Sequence, residues 1–175
     1  MSMSSRSTLF LTLLVASACV GGEKPAGLGI RVDPAAVAAV DFAVMPDGQG
    51  LPEGSGNAGD GRLVYERSCR HCHGVGGQGG VNDRLTGGAG SLSSAQPVKT
   101  IGSYWPYATT IFDYIRRAMP YNQPGSLSPD EVYAVTAYLL AEDGIIETSH
   151  VLDAQSLPLV RMPNRNGFTR AWPGE

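Results

Sequence analysis

Residues 69–74 read Cys-Arg-His-Cys-His-Gly, so two thiols stand either side of two residues and an imidazole follows the second at once. Four explanations fit such a cluster: a redox disulfide, a zinc site, a covalently held haem, or coincidence. A redox pair at this spacing needs a strand–helix–strand setting, and the flanking residues read instead as short helices and Gly-rich loops. Structural zinc takes four ligands. The chain has only three Cys and three His, Cys19 is far away near the N-terminus, and His150 is remote and alone. Cys and His are rare residues, which makes coincidence a poor account of this order. Covalent haem fits best. Each thiol forms a thioether to a haem vinyl group, and His73 is then held beneath the iron as its ligand. One covalent haem c is therefore expected on Cys69, Cys72 and His73. His71 fills an intervening position and is expected at the surface, not on the metal.

Iron then needs a sixth ligand, for which a Met thioether is a common choice that raises the reduction potential. Met119 is the first candidate. It ends a helical pattern, is followed by Pro120, and precedes the next helix by a short loop. Met162, in a loop and also followed by a Pro, is the second candidate, and Met45 the third; core filling is the bland alternative for any Met. In "GSYWPYATT", Tyr104, Trp105 and Tyr107 are candidates to wall the haem and reach a propionate, with plain core packing as the alternative.

The elements that must carry these residues are short. "DPAAVAAV" predicts a helix with Asp33 as N-cap and Pro34 at its first position. Residues 44–61 are rich in Gly and Pro and read as loop or linker. Residues 61–69 predict a helix with Leu63, Val64 and Tyr65 as its apolar bulk, running into the cysteine pair. Residues 74–94 form a Gly-rich loop with few apolar anchors, a poor core builder unless it packs on something flat that the sequence does not encode. Residues 109–119 predict a second main helix with Ile111, Ile115 and Ala118 on one face and an Asp113–Arg117 pair on the other. "SPDE" at 128–131 is a capping box that opens a third, with Val132, Val135 and Leu139 facing inward and Gly144 as its stop. The tail from about 145 reads as an extended strap. No strand pair and no repeat is expected.

The 175 residues suit one domain with extensions, and a hydrophobic fraction of 42% allows a core. Net charge is -3 without a Lys/Arg block, so a nucleic-acid partner is not expected. Arg6, the apolar run Leu9–Ala16 and the small residues before Cys19 read as an export signal too short to span a bilayer. "VASAC" resembles a bacterial lipobox, although Ala16 stands where Leu is more usual. Lipidation of Cys19 is expected, and with it an exported, periplasmic protein tethered to a membrane. The plan is a signal peptide at 1–18, an arm at 19–58, and a domain at 59–175.

"CRHCH" followed by "MPYNQPGSLSPDEVYAVTAYLL" resembles class I cytochrome c. "TIGSYWPYATTIFDYIRRAMP", "LPLVRMPNRNGF" and "MPDGQGLPEGSG" resemble, more narrowly, the cytochrome subunits of bacterial sulfite dehydrogenases and of the sulfane dehydrogenase of thiosulfate oxidation. The resemblance spans about residues 27 to 169. It implies an all-α class I cytochrome c fold, short helices around one covalent haem, with an N-terminal arm and a C-terminal strap. It implies His73 and Met119 as axial ligands, and a molybdenum-cofactor subunit that oxidises sulfite or protein-bound sulfur and feeds single electrons to this haem. Electrons would pass on to another cytochrome or a copper protein. With both axial positions filled there is no opening for substrate, so an electron-transfer subunit rather than an enzyme is expected. The alternatives are a haem enzyme with a labile sixth ligand, acting on sulfur compounds or peroxide, and a tethered carrier for an unrelated dehydrogenase.

Overall fold

The computed structural model describes residue 27, residues 29–169 and residues 171–172. The expected export signal and Cys19 lie outside the described residues. The chain divides after Ala39, and the compact unit that carries the site starts at Val40. In the first unit, helix α1 (Pro34–Ala38) has the expected start: the Asp33 side chain accepts the Ala35 N–H at 2.9 Å, with Pro34 in the first turn.

In the compact unit, strand β1 (Ser55–Asn57) leads into α2 (Ala58–Ser68), followed by the one-turn α3 (Arg70–His73). After the Gly-rich loop come the short α4 (Ile101–Tyr104), α5 (Ala108–Ala118), α6 (Pro129–Glu142) and strand β2 (Val151–Asp153). None of the described helices is long and apolar enough to cross a membrane.

Helix α6 is the centre. Every residue from Val132 to Leu140 is buried, so it is covered on all sides rather than along one stripe. Its start is the expected capping box, with Ser128 and Glu131 bonded to each other's backbone N–H. Helix α2 crosses it so closely that a Cβ on Gly61 would lie 1.9 Å from the Ala134 carbonyl oxygen. One on Gly56 would lie 2.3 Å from the Ala134 nitrogen. Arg67 of α2 reaches Glu131 of α6 at 2.6 Å beside this crossing. The first helix of the site starts earlier than its apolar pattern, because Asn57 caps it by accepting the Asp60 N–H.

Three expectations are corrected. A strand pair does exist: β1 and β2 are antiparallel, with Gly56 opposite Leu152. Three-residue strands far apart in the chain leave no alternation to read. Asp113 of α5 forms its ion pair with Arg117, but it is only 9% exposed and also accepts the Val44 N–H at 2.9 Å. It is a buried tie rather than half of a solvated face. Finally, residues 40–57, read as part of the arm, belong with the core. Val44 is buried, Tyr133 Oη donates to the Pro52 carbonyl at 2.9 Å, and Asp130 accepts the Ser55 N–H at 2.7 Å. Gly and Pro there set the turns of an ordered wrap. The strap after Gly144 is anchored by Leu152, Leu157, Val160 and Met162, all buried.

Forcing a methyl into a packed contact costs about 1–3 kcal/mol. Gly61→Ala is expected to lose at least that, seen as a lower denaturant midpoint; an unchanged midpoint would mean that the helices separate freely. Glu131 is held below its usual 4.5, first by the Ser128 N–H and also by Arg67, with burial opposing. Its contribution is therefore present above the unfolded value and lost as pH falls through the lower folded value. The stability gap between wild type and Glu131→Gln should be flat above pH 4.5 and shrink on acidification below it, as read by unfolding at several pH values.

Candidate functional site

Helix α2 ends at Ser68, and Cys69 leaves helical geometry at φ -122° while donating its N–H to the Tyr65 carbonyl. The chain coils again at once: the N–H groups of Cys72 and His73 both donate to the Cys69 carbonyl, at 3.1 and 3.0 Å. Gly74 then turns at φ +76°, where a Cβ would lie 2.1 Å from the Gly79 carbonyl oxygen. Tyr65 Oη donates to the Gly74 carbonyl at 2.8 Å and so fixes this turn from α2. The loop that follows folds back on the motif. Gly79 N–H donates to His73 O and Asn82 N–H to Cys72 O, at 2.8 and 2.9 Å.

This return brings the Asp83 carbonyl to 2.8 Å from His73 Nδ1. A carbonyl only accepts, so Nδ1 carries the proton and Nε2 keeps a free lone pair. Orientation of a metal-binding imidazole by such a bond fixes both its tautomer and its direction. Burial pushes the Cys69 thiol up to about 11, and burial likewise pushes Tyr65 up to about 12, so both stay protonated at neutral pH.

Cys69, Cys72 and His73 line a cavity of about 640 Å³, inside the size range of cofactor sites. Helix α5 adds Ile111, Ile115 and its C-cap Met119, and α6 adds Val135 and Leu139. One site thus gathers two free thiols, an imidazole with a free Nε2, a Met thioether and largely aliphatic walls. Among the described residues no three His, Cys, Asp or Glu side chains converge as a metal site on their own. The donor set fits a haem and does not fit a zinc ion held by the protein alone.

The methionines are separated by geometry. Met119 lines the cavity. Met162, the second candidate, is 3% exposed, packs in the core as the anchor of the strap, and is not among the lining residues. Met45 is 51% exposed and also lies outside the lining. Trp105 is in the wall, stacked edge-on against Tyr114 at 5.9 Å. Tyr104 is not: its ring meets Phe168 at 5.2 Å and the Lys99 ammonium at 5.2 Å. Tyr107 likewise sits outside the lining, under the Arg165 guanidinium at 4.3 Å. Tyr104 and Trp105 are adjacent in a chain leaving a helix, so they point to different sides. His71 is exposed at the cavity mouth. Sequence reasoning missed Asn82, Leu85, Lys99, Thr100 and Ile101, which also line the cavity. The signal available was the pair Thr100 and Ser103, which cap α4 reciprocally and hold Ile101 inward.

Residues 56–139 match the family described as cytochrome c oxidase, cbb3-type, subunit III. No curated protein matches the chain. A solved structure, the sulfane dehydrogenase SoxCD from Paracoccus pantotrophus, aligns with a TM-score of 0.77 and 44% identity, covering 83% of this chain and 72% of that one. The domain so matched is one that binds haem c covalently, a group that the donors lining the cavity fit. The chain belongs to the class I c-type cytochromes and, within them, to the group represented by that sulfane dehydrogenase chain.

Proposed function

We propose that this chain is the electron-accepting subunit of a molybdenum-dependent dehydrogenase acting on sulfane or sulfite sulfur. The observation that carries this reading is the 44% identity to the sulfane dehydrogenase over most of both chains. Electron transfer itself follows from the cytochrome c domain. The bound haem supplies a one-electron iron couple. Cys69 and Cys72 would hold it by thioethers, and His73 would present Nε2 because the Asp83 carbonyl occupies Nδ1. Met119 presents its sulfur from the end of α5, and Ile111, Ile115, Val135 and Leu139 exclude water. With His73 and Met119 both holding the iron, this chain would leave no open position for substrate, and substrate chemistry would belong to the partner. The electrons released by sulfur oxidation, two for each oxygen atom added to the sulfur, would then leave one at a time through this subunit, to a cytochrome or copper protein.

The same reading places the protein outside the cytoplasm, where thioether attachment takes place, with Cys19 as a lipid tether to the membrane. The sequence from Arg6 to Cys19 supports this.

Met119→Ala should abolish the sulfur–iron absorption signature of the oxidised protein and speed cyanide binding by roughly tenfold or more. Met162→Ala should keep the signature; its loss there, with retention in Met119→Ala, would reverse the ligand assignment. In extracts of the native host, sulfite or a sulfane donor should reduce this haem promptly. Reduction should vanish in cells grown on tungstate in place of molybdate. A haem reduced by dithionite but by neither sulfur donor would remove the partnership and leave a carrier for another dehydrogenase.

A further inference from the structure

Trp105 closes one wall of the cavity, yet its own segment is weakly built. Helix α4 is a single turn, and Trp105 leaves it in extended conformation with one long backbone bond, to Ile101 O at 3.3 Å. Pro106 follows and supplies no N–H. Beyond the α4 cap and the Tyr114 and Lys99 contacts, this stretch is held from the strap. Asn164 Nδ2 donates to the Tyr104 carbonyl at 2.7 Å, on the residue just before Trp105. The Phe168 ring meets the Tyr104 ring edge-on at 5.2 Å. Arg165 lies over Tyr107 at 4.3 Å, two residues beyond Trp105. The strap is itself fixed by buried Val160 and Met162, and two turns tie it together: Arg165 N–H to Met162 O and Gly167 N–H to Asn164 O, both at 3.1 Å.

None of Tyr104, Tyr107, Asn164, Arg165 and Phe168 lines the cavity, whereas Trp105 and its stacking partner Tyr114 do. We propose that Asn164, Arg165 and Phe168 are positioning residues: they latch the 104–107 segment so that Trp105 stays against the haem and keeps water and small ligands from it. Each contact grips a residue that flanks Trp105, and each comes from a well-anchored segment. Edge-on aromatic pairs and cations over rings are directional, so together they fix where the segment lies and not merely that it is covered. The apolar shell around a metal site sets solvent access and hence the potential. The latch therefore acts on the haem through Trp105. This inference rests on haem lying in the cavity, and not on which dehydrogenase feeds it.

The test uses the haem-loaded full chain carrying Trp172→Phe. The sequence contains two Trp, and Trp172 is 85% exposed, so Trp105 then reports alone. Asn164→Ala and Phe168→Ala should raise Trp105 emission, which bound haem quenches, and speed cyanide binding to the oxidised haem by roughly tenfold. The reduction potential should fall, with haem content and the sulfur–iron signature kept. Trp105→Ala should reproduce the cyanide and potential changes, and adding Phe168→Ala to it should change neither further, because one route carries both effects. Phe168→Tyr, which keeps the ring, should behave as wild type. If Phe168→Ala fails to fold, Arg165→Ala against Arg165→Lys gives the same reading, since that guanidinium is exposed. Unchanged emission and cyanide rate in the strap variants, or effects additive with Trp105→Ala, would overturn the latch. A wild-type chain that binds no haem would instead overturn the reading of the cavity.

Discussion

The backbone of α2 meets that of α6 at Gly61, with only a hydrogen between it and the Ala134 carbonyl. This contact sets the position of everything that follows in the chain. Because α2 lies so close, Cys69, which caps its end, lines the same cavity as Val135 and Leu139, and α6 becomes a wall of the cavity as well as the centre of the core. Helix α5 then packs on α6 and delivers Met119 to the same space. The aromatic pairs Phe112–Tyr133 and Tyr65–Tyr138, with centroids 4.4 and 5.1 Å apart, fill the volume between these helices. A side chain at position 61 would move the first half of the site relative to the second.

Backbone does in the cradle what side chains do elsewhere. From Gly74 to Asp83 the chain offers little apolar surface, and it is ordered by hydrogen bonds back to Cys72, His73 and Gly74. Those bonds serve the chemistry directly. The last of them, the Asp83 carbonyl on His73 Nδ1, decides which ring nitrogen is available. Burial keeps the Tyr65 hydroxyl protonated, and that hydroxyl donates the bond that fixes Gly74. A domain of this size with so open an interior completes its core with the cofactor, and cofactor binding is then also folding free energy.

An electron carrier needs a site that changes little between redox states. Here the two candidate ligands arise from elements fixed at both ends: a one-turn helix laced to its own loop, and the end of α5, whose Asp113 ties Arg117 and the Val44 backbone together. The N-terminal wrap from Val40 and the strap after Gly144 add nothing to the ligand set. They pack on the helices that carry it, and they are the parts in which this chain exceeds a minimal haem-binding domain.

The sequence by itself determined the cofactor chemistry and the main helices. Cys69, Cys72 and His73 are contiguous, so their spacing is local information, as are the Asp33 and Ser128 caps and the periodicity of α5. The class of fold was implied by the resemblance of the longer stretches to class I cytochrome c, and the matched family and structure bear it out. Which methionine reaches the cavity was decided only by tertiary structure. Met119 and Met162 look alike in sequence, each before a proline, and differ in what packs around them: one closes α5 at the cavity, the other anchors the strap in the core. The same holds for the β1–β2 pair, for the burial of Asp113, and for Trp105 facing the cavity while Tyr104 faces away. Each depends on a partner distant in the chain, and local propensity carries no record of such a partner.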